Sequence, residues 1–183
     1  MEFVLVLLVL LAGCNDDQGL DDVTRQELSR HEVHDELFLG TRFGQSQKQF
    51  FDHCRQLNKQ GLFSQGAMGG QIAVDYQLDE LVYPALMSFY PTFTDGKITS
   101  MEVRIQYKSW APWNKHLYAD QLLPDVLQLL KKWHGGNDFR EYIIDDRRSW
   151  FKHDGNRRIQ VRVYDEVYAQ VLYTDMRRNE NHD

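Results

Sequence analysis

From Ser46 onward, apolar positions follow two rhythms in turn. Phe50, Phe51, Cys54 and Leu57 recur at helical spacing. Ser46 with Gln49 makes a capping-box pair and Gly61 closes the segment, which predicts a helix over 46–60. Ile72, Val74, Tyr76 and Leu78 then alternate with polar partners, the period of a half-buried strand. Residues 85–94 are rich in aromatics, and Asp95-Gly96 is a favoured two-residue hairpin turn. Met101, Val103, Ile105 and Tyr107 alternate beyond it, so 85–107 reads as a hairpin. Pro91 in its first arm implies an edge position or a bulge.

Helical spacing returns at Leu122, Leu123, Val126, Leu127, Leu130 and Trp133, within 117–134. Gly135-Gly136 ends it, and Pro124 is tolerated if the regular helix starts near Asp120. Segments 139–144 and 148–153, a turn at Asp154-Gly155-Asn156, and alternating runs through Ile159–Val163 and Val167–Tyr173 complete the pattern. The order helix, three strands, helix, three or four strands predicts an α+β domain. In it an antiparallel sheet carries two main helices in an α-β-β-β pseudo-repeat. The repeat is architectural, with no residue identity between the halves.

The front of the chain breaks this rhythm. Phe3–Ala12 is an unbroken apolar run, too short for a bilayer span of about 20 residues. It fits the apolar region of an export signal. It ends in Leu11-Ala12-Gly13-Cys14, which resembles the lipobox of bacterial lipoproteins. The resemblance implies that 1–13 is a removed signal peptide and that Cys14 carries diacylglycerol and palmitate-type acyl chains. It places the protein in the cell envelope, on the outer membrane in preference, facing periplasm or surface. One departure stands: Glu2 occupies the place where basic residues usually precede the apolar run. The bland alternative is a buried N-terminal strand.

Asn15-Asp16-Asp17-Gln18 resembles the surface-export tag of Bacteroidetes-type lipoproteins, and it reads equally as a polar tether. Residues 14–36 are polar and acid-rich, predicting a lipidated Cys and flexible tether with at most a short helix at Asp22–His31. The ordered domain is expected over 37–175, with a frayed polar tail at 176–183. Phe43-Gly44-Gln45-Ser46 leading to Phe50 is similar to the helix entry of small outer-membrane assembly lipoproteins and β-lactamase-inhibitor-like domains. It covers barely a tenth of the chain. That resemblance implies binding and assembly work.

Composition sharpens the class. With 42% hydrophobic, 13% aromatic and 26% charged residues, the chain is globular rather than disordered. Net charge is −6, or −5 once the leader with Glu2 is removed. That argues against a nucleic-acid binder, which presents a basic face. If lipid occupies Cys14, Cys54 is a lone thiol, read as a small buried hydrophobe on a helix face or as a reactive group.

Candidate chemistry is sparse. His31 and His34 could share a helix face, but no third metal ligand is placed by spacing. Asp145-Asp146 and Asp79-Glu80 lack the partners of a calcium loop or a carboxylate pair. No serine sits in a nucleophile elbow. Gly66–Gly70 lacks the lysine and helix of a phosphate loop, and reads as a flexible turn. No metal or cofactor is therefore expected. Two surface features stand out. Arg147, Arg148, Lys152, Arg157, Arg158 and Arg162, interleaved with aromatics, could form a face for an anionic partner or simply solvated edge positions. Trp110 and Trp113 form a recognition loop or cap the core. The leading expectation is a membrane-anchored, non-enzymatic binding or scaffolding lipoprotein. The alternatives are an envelope hydrolase with an unrecognised site and an inhibitor or immunity-type protein.

Overall fold

The computed structural model describes residues 16–178, so the leader and Cys14 lie outside the described residues. Both expected helices form: α2 is Gln47–Lys59 and α3 is Ala119–His134, after a first helix α1, Asp16–Ser29. Ser46 caps α2 in a full capping box, its hydroxyl accepting from the Gln49 amide at 3.2 Å while the Gln49 side chain accepts from the Ser46 amide at 2.8 Å. Ser46→Ala is expected to cost about 1 kcal/mol, read as a lowered urea midpoint with an unchanged slope.

Eight strands build one antiparallel sheet. They are β1 Phe63–Met68, β2 Gln71–Leu78, β3 Ala85–Thr94, β4 Lys97–Tyr107, β5 Arg140–Ile144, β6 Arg147–Asp154, β7 Arg157–Val163 and β8 Ala169–Asp175. Their spatial order is β1-β2-β3-β4-β8-β7-β6-β5. The α+β class is as expected. The repeat is larger than the α-β-β-β pattern, because each half is one helix followed by four strands. The halves meet where β4 pairs β8. The missed strand is β1. Its sequence FSQGAM reads as a turn, but cross-strand pairing with β2 overrides that weak propensity.

Alternation sorts the side chains. Met87, Phe89, Val103, Ile105, Ile159, Val161 and Val171 point to one face and are buried. There they meet Phe50 of α2 and Leu122, Val126 and Leu130 of α3 in one core. Burial of this apolar face is the main favourable term in the fold. Pro91 sits in an interior strand, not at an edge. The β2–β3 pairing ends at Val74↔Phe89, so Pro91 lies beyond the last rung toward β2 and no ladder donor is lost. A register shift at Thr92/Phe93 follows it, as the bulge reading expected. The shift turns Ile98 rather than Thr99 toward the helices, and Ile98 is fully buried.

The opposite face is only partly covered, and by a helix longer than the short one expected at Asp22–His31. α1 packs there on β5 and β6. Leu20, Thr24 and Glu27 are buried, and Thr24 Oγ1 lies 3.2 Å from His153 Nε2. Residues 16–36 are thus part of the domain rather than a tether. The next stretch is held too: Leu37, Phe38 and Phe43 are core residues, and the Phe38 ring centroid lies 5.0 Å from Phe89 and 5.6 Å from Tyr173. A charged helix with a three-residue stripe gives little periodic signal, and its partners are more than a hundred residues away in sequence. At the other end, Met176 is buried and Arg177 pairs with Asp35 at 2.6 Å and Asp175 at 2.7 Å. The domain therefore runs past 175.

Candidate functional site

Two polar constellations stand apart from the core. The first is a row across the uncovered face. Register places Asp75, Ser88, Arg104, Gln170 and Arg162 side by side on the five adjacent strands β2, β3, β4, β8 and β7. They are tied in two groups, Asp75 with Ser88, and Arg104, Gln170 and Arg162 together with Glu102. Ser88 Oγ donates to Asp75 Oδ1 at 2.6 Å. Arg104 Nε donates to Glu102 Oε1 at 3.2 Å, and Gln170 Nε2 donates to the same oxygen at 2.8 Å. Arg162 Nε donates to Gln170 Oε1 at 2.7 Å. The Arg104 guanidinium also lies 4.2 Å from the centre of the Tyr164 ring, a cation–π contact. A Cβ on Gly69 would stand 3.6 Å from Arg104 Nη2, so the β1–β2 turn leans over this row. Each long side chain is held by a neighbour, which fixes its direction before any partner arrives.

The second constellation is a buried ion cluster on the helix side. Lys152 is fully buried, and its Nζ donates to both Asp154 oxygens at 2.6 and 2.5 Å. Asp154 also accepts from the Asn137 amide at 2.9 Å and from Arg157 Nη2 at 3.1 Å. Arg157 Nη1 donates to the Glu36 carbonyl at 2.7 Å. Burial pushes the Asp154 carboxyl up, but the Lys152 ammonium, the Asn137 amide and Arg157 outweigh it and hold it below its usual range. Burial lowers Lys152, against the pull of Asp154. Gly136, with φ +65°, closes over the pair. A Cβ there would sit 2.4 Å from Asp154 Oδ1, so only glycine fits.

Beside the cluster, residues 33–42 and the end of α3 enclose a cleft of about 980 Å³. His34, Glu36, Arg42, Glu80, Trp133, His134 and Arg157 line it. His134 Nε2 lies 3.1 Å from the Tyr173 hydroxyl. Burial, with Arg157 and Lys152 nearby, lowers His134 to about 3, so it is neutral at physiological pH. Burial raises Tyr173, which keeps its proton. Thr41 in this cleft donates to the Phe38 carbonyl at 2.6 Å. Glu80 is taken by Lys132 at 2.8 Å and the Trp133 indole at 3.1 Å. Thr41, Glu80, His134 and Arg157 are thus engaged with neighbouring segments.

The six cations singled out in the sequence divide evenly between the faces: Arg148, Lys152 and Arg157 point to the helix side, and Arg147, Arg158 and Arg162 share the other. Strand alternation separates neighbours. Lys152 and Arg157 are buried on the helix side. Arg158 is on the other face, against Phe151 at 5.9 Å. Arg147 and Arg148 are exposed on opposite sides of β6, and Arg148 pairs with Glu141 at 3.5 Å. Arg162 joins the open row, and Arg147 lines a shallow pocket with it on the same face. The tryptophans also divide: Trp113 is 81% exposed, while Trp110 is half-buried against Tyr118, ring centres 6.0 Å apart. His34 is bound through its amide to Asn156 Oδ1 at 2.6 Å, and among the described residues no group of three or more ligating side chains is placed to hold a metal ion. Asp145 and Asp146 form the β5–β6 turn, both with positive φ. The open row was missed because its members come from five strands. The signal was present as the polar half of each alternation.

The fold and row define a class: a helix-backed antiparallel sheet with a partly free, charged face. No family model, curated protein or solved structure matches this chain. Among the described residues, no helix is long and apolar enough to cross a membrane.

Proposed function

We propose that this chain is a non-enzymatic binding protein, held at a bacterial envelope membrane by acylated Cys14, whose open sheet face receives a protein partner. The observation that supports this reading is the polar row Asp75-Ser88-Arg104-Gln170-Arg162, bonded within Asp75–Ser88 and among Arg104, Glu102, Gln170 and Arg162, on the part of this face that α1 leaves free. Groups already held in place lose little freedom on binding, so more of their interaction energy reaches affinity. The row, with Glu102 beside it, mixes acids and bases. That suits a protein surface of both signs better than a uniform polyanion. The apolar run closed by Leu-Ala-Gly-Cys supports the anchor.

Two measurements test the parts separately. Mass spectrometry of native material should find Cys14 as an acylated first residue, and Cys14→Ser should release the protein from membranes. A photo-reactive residue at Gln106, on the open face, should capture a partner that one at Gln128, on the exposed side of α3, does not. Arg104→Glu with Arg162→Glu should weaken that capture on the order of a hundredfold, because like charges then meet across the interface. Capture from Gln128 alone would sink the sheet-face assignment.

A further inference from the structure

A second surface lies away from the open row, between α2 and the outer part of the β1–β2 hairpin. Here β2 has already parted from β3, leaving a cleft of about 710 Å³. Its walls are Phe51, Cys54, Phe63, Ile72, Val74 and Tyr90. Ile72 is 66% exposed and Phe51 37%, so two large apolar side chains face solvent across it. Isolated exposed apolar residues are ordinary, but a concave group of this size marks a ligand site. Its mouth carries Lys48 and Arg55, two turns apart on the same side of α2, and no carboxylate lines it. Asp52, on the same helix, pairs with both cations, leaving the trio with one net positive charge.

We propose that this cleft binds a long-chain fatty acid, its hydrocarbon between Phe51 and Ile72 and its carboxylate at Lys48 and Arg55. The walls favour a methylene chain over a peptide. A peptide backbone brings amides and carbonyls that need partners, and here the Asn58 amide is spent on the Phe63 carbonyl at 2.8 Å. An acyl chain brings polar atoms only at its head, where the two cations are. Cys54 is compatible with this, since burial pushes its thiol up to about 11 and keeps it uncharged. The site is independent of the anchor and of the open row.

Cys54 provides its own reporter. In the full chain, alkylation of Cys54 by N-ethylmaleimide, followed by peptide mass mapping in mildly alkaline buffer, should slow about tenfold when laurate is present at ten times its dissociation constant. Protection should strengthen with chain length from octanoate to laurate, on the order of tenfold in affinity for each two methylenes. Dodecyltrimethylammonium, with the same tail and the opposite charge, should protect poorly. Ile72→Asp, an exposed change, should abolish protection by laurate. Lys48→Glu with Arg55→Glu should invert the preference toward the ammonium. Equal protection by both amphiphiles, or laurate protection that survives Ile72→Asp, overturns the assignment. So does protection only by a second copy of the chain, which would make the cleft a self-association surface.

Discussion

Asp154→Ala is expected to destabilise the domain by roughly 3–5 kcal/mol, the usual cost of stripping one member from a buried ion cluster. Its loss leaves the Lys152 ammonium fully buried with no counter-charge, and it removes the acceptor for the Asn137 amide and for Arg157 Nη2. The charges cannot reach water, because Gly136 and the α3 end lie over them. Urea unfolding read by tryptophan fluorescence measures the effect. Lys152→Met with Asp154→Leu is the informative companion. Removing both should recover the part of the loss that comes from the stranded ammonium, while Arg157, left without its carboxylate, keeps the double variant below the parent. If Asp154→Ala unfolds within 1 kcal/mol of the parent, roughly the effect of an ordinary surface change, the cluster is not holding these loops.

Acid should begin to loosen the domain near pH 6.5, before carboxylates titrate. His153 is lowered to about 4 by burial and by Arg158, and His134 to about 3 by burial with Arg157 and Lys152. Both imidazoles are therefore neutral when folded and free to gain a proton near pH 6.5 when unfolded. Between pH 6.5 and about 4 the unfolded chain holds more protons, so stability falls as pH falls, by roughly 3 kcal/mol for each imidazole. Asp154 adds to this only lower down. Its folded value is depressed, so its contribution is complete above its ordinary value and disappears as pH drops through the lowered one. His153 touches Thr24 of α1 and stacks on Phe151 at 6.3 Å, so its protonation acts on the seat of α1. His153→Phe should flatten the pH dependence and preserve α1 protection in hydrogen exchange at pH 5. An unchanged slope in that variant would show that its imidazole titrates normally.

Local signals carried much of this architecture. The capping box at Ser46, the Asp95-Gly96 turn and the alternations through 72–78 and 101–107 each describe contacts within a few residues, and the structure contains them. What escaped depends on distant partners. The packing of α1 rests on Tyr142, Phe151 and His153 beneath it, and half of its own residues are acids or amides. β1 exists because β2 offers it a ladder. The candidate site fared worst for the same reason. A row perpendicular to the strands takes one residue from each, so spacing along the chain does not reveal it before the strand order is known. The basic run around Arg157 misled in the opposite sense, since adjacency along a strand places side chains on opposite faces.

The palindromic strand order has a consequence for ancestry and engineering. Each half runs from an outer edge to a last strand at the middle, and the two last strands lie antiparallel, Val103 opposite Val171. Two copies of a single half, meeting along that strand, would close a platform of the same layout with both helices on one side. A fused gene duplication followed by sequence drift leaves this arrangement behind. Separately expressed halves, split in the 108–118 connection, are the natural fragments from which to try to reassemble it.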